Sequence, residues 1–294
     1  MARRRKPFII RLINKILIFI LIVALILGGV YAFVRIKYKV DLISTVRQIK
    51  VLSKDVNEDE LCTNKFGNDD YESAKVKINA CVGASLITGG GDGKYELADS
   101  FTGSFSADVR FTDKECGALL DLLADDIGKV NIAGKDLQLE LKQIKFNDYD
   151  TETKTLEFNC IIKVDVTPVK QDMTKVPAKW FKKYVPDALY ISATGYIIKG
   201  ETAFEYTTKA ESLTLNNLNE KDTGELLEAL NKITKFGSAE SIASDMITAL
   251  ADGLIGKEGN KGFAYSLKEI GANDFSFEKS TLGTTTSIYY VVNN

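Results

Sequence analysis

Residues 156–166 have the sequence LEFNCIIKVDV, in which an apolar residue occupies every second position. An antiparallel strand with one buried face requires this alternation, because successive side chains point to opposite sides of a sheet. Further strands are expected over residues 76–87, 101–111, 137–141, 189–198 and 202–215. The alternation therefore predicts a fold built on antiparallel sheets.

Two helices are well signalled between these strands. Thr112 and Glu115 form a capping box, the pairing that satisfies free backbone amides at the start of a helix. An apolar stripe follows on one face of that helix, formed by Leu119, Leu120, Leu123 and Ile127. Residues 238–256 carry a similar stripe, formed by Ile242, Met246, Ala249, Leu250 and Leu254. Helices and strands together predict the α+β class, with helices packed on antiparallel sheets.

Parts of the second half of the chain repeat the first. Residues 113–123 and 220–230 are identical at five of 11 positions. Residues 141–156 also align without gaps on 267–282, and both segments contain Asn-Asp followed by an aromatic residue. We therefore predict a duplicated strand–helix–strand–strand unit, in which residues 238–256 form an added helix.

The N-terminus is expected to span a membrane. Residues 16–34 contain no charged residue and would measure roughly 28 Å as a helix, close to the hydrocarbon thickness of a bilayer. Six Lys or Arg residues precede this run and three follow it closely, which places residues 1–15 in the cytoplasm. A cleaved signal peptide is the alternative, and either reading puts the remainder outside the cytoplasm.

Charge also separates the two parts of the chain. Residues 1–40 hold nine Lys or Arg residues and no Asp or Glu. The rest holds 29 basic and 40 acidic residues, a net charge of −11. A domain this acidic repels nucleic acid, so we expect no nucleic-acid partner.

The residue types narrow the chemistry further. The chain has no histidine, which removes Ser-His-Asp and Cys-His catalysis and histidine-ligated zinc. Of the four cysteines, Cys62 and Cys81 are the most local disulfide pair, although four cysteines allow three pairings. Cys116 and Cys160 fall on apolar faces and are expected to be buried thiols. No cofactor or metal ion is predicted.

Two kinds of site remain. Trp180, Phe181 and Tyr184 lie between prolines, and this aromatic cluster is the expected ligand-binding surface. A carboxylate-dependent hydrolase acting on the cell envelope is the alternative function. Its candidate carboxylates are Asp148, Asp150 and Glu152 in the 148–152 turn, or Asp125 and Asp126. A calcium site formed by Asp148, Asp150 and Glu152 is a third hypothesis.

The layout of basic tail, single span and α+β domain resembles the single-span extracytoplasmic proteins of unknown function from low-GC Gram-positive bacteria. The resemblance covers roughly residues 101–200 and rests on Thr112, Glu115, Leu119, Leu120, Pro177, Tyr184 and Pro186. The layout is also similar to tubular lipid-binding domains, in which a helix crosses a curved sheet around an apolar groove. This similarity implies an apolar ligand and supplies no catalytic residue.

The sequence as a whole favours a membrane-anchored extracytoplasmic binding or scaffolding protein without enzymatic activity. Its expected partners are the lipid bilayer, through residues 16–34, and a lipid or other envelope ligand. The expected segments are a cytoplasmic tail (1–15), a span (16–34), a juxtamembrane linker (35–75) and two α+β units (76–200 and 201–294).

Overall fold

The computed structural model describes residues 42–91, 94–124, 129–132, 135–172, 182–234, 238–259 and 262–294. The described helices are α1 (Leu42–Leu52), α2 (Glu58–Leu61), α3 (Asn68–Val82), α4 (Asp113–Ala124), α5 (Thr167–Asp172), α6 (Glu220–Thr234), α7 (Ala239–Leu254) and α8 (Phe263–Leu267). Two short 3-10 turns occupy Lys182–Tyr184 and Lys268–Ile270.

The strands form three antiparallel sheets, which confirms the α+β class. Their bounds are β1 (Ile87–Thr88), β2 (Glu96–Leu97), β3 (Val109–Phe111), β4 (Lys129–Ile132), β5 (Lys135–Asp150), β6 (Thr155–Asp165), β7 (Ala188–Lys199), β8 (Tyr206–Leu215), β9 (Asp274–Leu282) and β10 (Thr285–Asn293). The five-stranded sheet has the order β4-β5-β6-β7-β8, and the three-stranded sheet has the order β3-β10-β9. Strands β1 and β2 form a separate pair.

The five-stranded sheet buries the face that the alternation predicts. On β6, Leu156, Phe158, Cys160 and Val164 are each at most 2% exposed, whereas Glu157, Asn159 and Lys163 on the other face are partly exposed. Helices α4, α6 and α7 pack on the buried face. We call it the inner face, and the opposite face the outer face.

Helix α7 packs tightly on β7 at Gly195. A Cβ added at Gly195 would lie 2.8 Å from Ile247 Cγ1 and 2.6 Å from the Lys209 carbonyl oxygen, so only glycine fits. Residues of α7 on this side are buried, including Met246 and Leu250. The helix starts at Ser238, whose hydroxyl accepts a hydrogen bond from the Ser241 amide at 3.1 Å. The helix expected over 238–256 is confirmed.

The capping box at Thr112 is also confirmed. Glu115 Oε2 accepts from the Thr112 amide at 2.7 Å, and Thr112 Oγ1 accepts from the Glu115 amide at 3.3 Å. Glu115 is buried and also binds Lys77 Nζ at 2.7 Å and Ser73 Oγ, so the cap of α4 ties this helix to α3.

Aromatic rings join the two larger sheets. Phe146 on β5 lies edge-on to Phe277 on β9 with centroids 6.2 Å apart, and Tyr206 on β8 lies edge-on to Phe275 at 6.1 Å. Both sheets therefore share one core. Each also contains strands from both sides of position 200, so the boundary expected at 200/201 does not separate the sheets.

Three expectations about local structure are wrong. Residues 76–82, expected as strand, belong to helix α3. This helix starts where the Gly67 amide donates to the Asp70 carboxylate, and Gly83 ends it with a left-handed φ of +68°. Only Val109–Phe111 is strand within 101–111. Strand β5 runs from Lys135 to Asp150 rather than over 137–141, so the turn expected at 148–152 lies at residues 151–154.

Within the expected linker over 35–75, the described part (residues 42–75) is folded structure. Ile49 and Leu52 on α1 are 2% and 3% exposed. Gln48 Nε2 donates to Glu225 on α6 at 2.9 Å, and Leu52 O accepts from Asn216 Nδ2 at 2.9 Å. Helix α1 is thus held at its middle and at its C-terminal end, and its apolar side forms part of the core.

The aligned halves share an order of elements but not every structure. The first segment runs β3-α4-β4-β5-β6 and the second runs β8-α6-α7-α8-β9-β10, so both begin with strand and helix and end with two strands, while β4 is added in the first and α7 and α8 in the second. Leu141, however, is in a strand while its aligned residue Leu267 is helical. Helices α4 and α6 both pack on the five-stranded sheet rather than on separate sheets. The duplication stays a prediction.

The expected span over 16–34 lies outside the described residues. Among the residues that the structure does describe, no helix is both long and apolar enough to cross a bilayer.

Truncation of either aligned leucine should destabilise the protein strongly. Leu119 and Leu226 are 1% and 0% exposed, so replacing either with alanine leaves a cavity that costs about 2–5 kcal/mol. Leu282 is 87% exposed, and Leu282→Ala should change the free energy of unfolding by less than about 0.5 kcal/mol. Urea unfolding of the three variants in detergent micelles measures this, and equal losses would contradict the burial of the leucines.

Candidate functional site

The outer face of the five-stranded sheet carries a connected row of amides and hydroxyls. Gln143 Nε2 on β5 donates to Asn159 Oδ1 on β6 at 2.9 Å. Asn159 Nδ2 donates in turn to Ser192 Oγ at 3.0 Å and to Thr194 Oγ1 at 3.3 Å, both on β7. The register continues the row to β8, because Ser212 lies opposite Thr194. The row therefore crosses four strands.

An aromatic side chain lies beside this row. Tyr196 on β7 is opposite Glu157 on β6 and Lys209 on β8. A hydrogen bond to the Glu211 carboxylate raises the pKa of Tyr196, so its hydroxyl stays protonated. Glu157 accepts from Asn147 Nδ2 at 3.0 Å. The Tyr196 ring thus lies among side chains that donate hydrogen bonds and side chains that accept them.

We call this surface the polar face and define it as Gln143, Asn159, Ser192, Thr194, Tyr196 and Ser212. Apart from Gln143, which is 3% exposed, its side chains are partly exposed. Amides and hydroxyls can each donate and accept, and a tyrosine ring offers a flat apolar surface. This combination suits a neutral ligand rich in hydroxyl groups.

One end of the outer face is covered by helix α2 through a charged cluster. Glu58 lies 3.2 Å from Lys65 Nζ, 3.4 Å from Lys142 Nζ and 3.3 Å from Lys163 Nζ. Its Oε2 also accepts from the Tyr190 hydroxyl at 2.6 Å. Glu140 and Asp59 pair with Lys142 and Lys65, so the cluster balances three positive charges with three negative ones.

Glu58 is the most perturbed acid of this cluster. Partial burial by itself would raise its pKa, but hydrogen bonds from Tyr190, Lys65 and Lys163 and the charge of Lys142 outweigh burial and lower the pKa to about 2. Glu58 therefore stays ionised at neutral and mildly acidic pH, where it pairs with the three lysines.

A small apolar cluster lies beneath α2. Cys62, Ile161 and Tyr190 are 3%, 2% and 6% exposed and form a group separate from the main core. Burial raises the pKa of the Cys62 thiol, and the nearby Glu58 charge raises it further. Cys62 is thus a packed, protonated side chain.

The expected aromatic site is described only in part. Trp180 and Phe181 lie outside the described residues. Tyr184 ends a 3-10 turn, is half-buried and packs against the main core, with Lys183 Nζ 4.9 Å from its ring centre.

The acidic candidates Asp148 and Asp150 lie at the end of β5 and bind neighbouring groups of the protein. Asp148 binds Lys279 Nζ at 2.7 Å, which lowers the pKa of Asp148. Asp150 accepts from the Thr153 hydroxyl at 2.8 Å and from the Glu152 amide at 2.8 Å, and its pKa is lowered by these bonds. Asp125 and Asp126 lie outside the described residues. No group of three potential metal ligands occurs in the part of the chain that the structure describes.

The cysteines are all free thiols, so the disulfide expected between Cys62 and Cys81 is wrong. Cys62 lies under α2 on the outer face, whereas Cys81 Sγ is 2.8 Å from the Ala107 carbonyl oxygen near the end of α3. Cys116 and Cys160 are buried thiols, as expected.

Comparison with protein-family models, with curated proteins and with solved structures found no match to this chain.

The polar face and the Glu58 cluster are features that the sequence interpretation missed. Their signal was present in the polar positions of β6, Glu157, Asn159 and Lys163, which alternate with the core residues.

The pKa of Glu58 predicts an acid-dependent contribution to stability. The value is about 2 in the folded protein against a usual 4.5, so the contribution is complete above pH 4.5 and is lost as pH falls from there towards 2. Glu58→Gln should lower the free energy of unfolding by about 2–3 kcal/mol at neutral pH and by much less near pH 3. Urea unfolding at both pH values measures this. An equal loss at the two pH values would contradict the assignment.

Proposed function

We propose that this chain is a membrane-anchored extracytoplasmic binding module whose polar face takes a hydroxyl-rich polymer of the cell envelope. The observation that carries the proposal is the hydrogen-bonded row from Gln143 through Asn159 to Ser192 and Thr194 beside Tyr196. Polysaccharides offer paired hydroxyls to amides and carboxylates and apolar ring faces to aromatic side chains.

The anchoring part of the proposal rests on the N-terminal sequence. Residues 16–34 are uncharged, and the basic residues concentrate on their N-terminal side. Helix α1 begins at Leu42 and is packed onto the domain, which leaves only residues 35–41 between the proposed span and the folded part. The polar face is therefore kept close to the bilayer surface.

A polar ligand suits the described geometry better than the apolar ligand expected from the sequence. Helix α7 contacts the inner face directly where Ile247 approaches Gly195, and it contacts α4 where Leu120 approaches Gly253. A lipid lying between helix and sheet would have to displace these contacts. The outer face needs no such rearrangement.

Loss of the tyrosine ring should weaken binding to envelope glycan. The test is co-sedimentation of the full chain, in detergent micelles, with insoluble cell-wall glycan from a Gram-positive bacterium. Tyr196→Ala and Asn159→Ala should each raise the dissociation constant about tenfold, because each removes a stacking or hydrogen-bonding group. Thr285→Ala, an exposed change on the β9–β10 hairpin, is the matched control and should leave the dissociation constant unchanged.

Two results would contradict the ligand assignment. One is wild-type protein that does not co-sediment with the glycan. The other is binding that Tyr196→Ala and Asn159→Ala leave at the wild-type level. Co-purification of a lipid in stoichiometric amount, observed by native mass spectrometry, would favour the apolar ligand instead.

The proposed topology has its own test. A cysteine introduced at position 2 should be shielded from a membrane-impermeant maleimide in intact cells, and one at position 294 should react, because the basic residues hold the N-terminus inside. The half-exposed Cys81 provides a native reference on the domain. Reaction at position 2 with protection at 294 would reverse the proposed orientation.

A further inference from the structure

Residues 53–66 cross the outer face as a strap, the name used here for this segment. It begins at the end of α1, where Asn217 Nδ2 donates to the Lys54 and Asp55 carbonyl oxygens at 3.2 and 3.3 Å. It ends at the edge of β5, where the Asn64 amide donates to Gln143 Oε1 and Asn64 Nδ2 donates to the Ile144 carbonyl oxygen, both at 2.8 Å. The strap therefore runs from the end of the sheet across three strands.

The strap directly adjoins the polar face. Gln143, which binds Asn64 of the strap, is also the first residue of the polar row. Beneath the strap lie Ile161 and Tyr190, on the same face as Asn159 and Ser192 and farther along β6 and β7. Removing the strap would extend the polar face by an isoleucine and a second tyrosine.

The contacts that hold the strap differ from those of the core. Over most of its length its apolar contacts are the small cluster of Cys62, Ile161 and Tyr190, with Val56 and Leu61 beside it, which is separate from the main core. Only at its last residue does an aromatic ring, that of Phe66, pack on Tyr71 of α3 and against Gly117 of α4. Its polar contacts are the partly exposed ion pairs of Glu58 and the hydrogen bonds at its two ends. Segments with few buried apolar contacts open at a lower free energy than the global unfolding of a domain.

We propose that the strap opens as a local unit, without unfolding of the core, and that the uncovered Ile161 and Tyr190 lengthen the polar face for its polymer ligand. The opening rests on the strap contacts alone, and its role in ligand binding rests on the proposed function. Ion pairs at the surface weaken with salt, so the opening is promoted by ionic strength.

The native cysteines provide the test. Cys62 reports on the strap, Cys116 and Cys160 report on the main core, and the half-exposed Cys81 is the accessible reference. Full-length protein in detergent micelles is labelled with a maleimide, and the rate at each cysteine is read by peptide mass spectrometry. We expect Cys62 to be labelled about tenfold or more faster than Cys160, because local opening is easier than global unfolding.

Variants separate the strap from general stability. Glu58→Gln should speed labelling of Cys62 about tenfold or more, since it removes the carboxylate that three lysines share. Leu226→Ala should speed labelling of Cys116 and Cys160 but leave Cys62 unchanged, because the core contacts of Leu226 persist when the strap alone opens. Glu72→Gln is the control, because Glu72 pairs with Lys75 on α3, away from the strap. Raising the salt concentration should likewise speed the labelling of Cys62, because salt weakens the same ion pairs.

Two results would overturn the proposal: equal labelling rates at Cys62 and Cys160 in the wild type, or acceleration of Cys62 together with Cys116 and Cys160 in Leu226→Ala. Solubilised cell-wall glycan should speed Cys62 labelling further, because it holds the strap open. If glycan leaves the labelling rate of Cys62 unchanged, the opening of the strap is still supported, but the result counts against the ligand assignment.

Discussion

Most of this structure depends on the close contact between helix α7 and strand β7 at Gly195. The absent side chain lets Ile247 approach the sheet, so α7 closes the inner face over β7 and β8. Helix α4 covers β5 beside it, and the aromatic rings of β9 and β10 close the remaining side of the core. With one face filled in this way, most outward positions of β5 to β8 carry polar side chains, and the apolar Ile161 lies under the strap.

The outer face follows from that constraint. An antiparallel sheet with one covered face usually presents scattered charges to water. Here the outward residues form a continuous hydrogen-bonded row, and a folded strap covers one end of it. The row, the tyrosine beside it and the strap are the features on which the proposed function rests.

Local signals in the sequence predicted much of the fold. The alternation over 156–166, the capping box at Thr112 and the apolar stripe over 238–256 are all local patterns, and the elements they predict are confirmed. Helix α3 was missed because Val76, Ile78 and Val82 favour strands, whereas the cap at Gly67 and burial against α4 decide for helix. Tertiary packing outweighed intrinsic preference at these positions.

The polar face and the Glu58 cluster were less predictable, because their contacts join residues that are far apart in sequence. Asn159 and Thr194 are 35 residues apart in sequence, and nothing local indicates that one side chain will bind the other. Glu58 reaches Lys163 and Tyr190 only because the strap crosses the sheet. A polar residue in an alternating strand has the same sequence pattern whether it faces bulk water, a ligand or another segment of the chain.

Hydroxyl-radical footprinting of the full chain in detergent micelles, with and without solubilised cell-wall glycan, tests the central claim most directly. Tyr196 and Ile198 lie on the outer face, and Ile288 and Tyr289 on β10 are comparably half-buried references. The account predicts that glycan lowers oxidation of Tyr196 and Ile198 and leaves Ile288 and Tyr289 unchanged. Protection confined to β10, or no protection on the outer face, would contradict it.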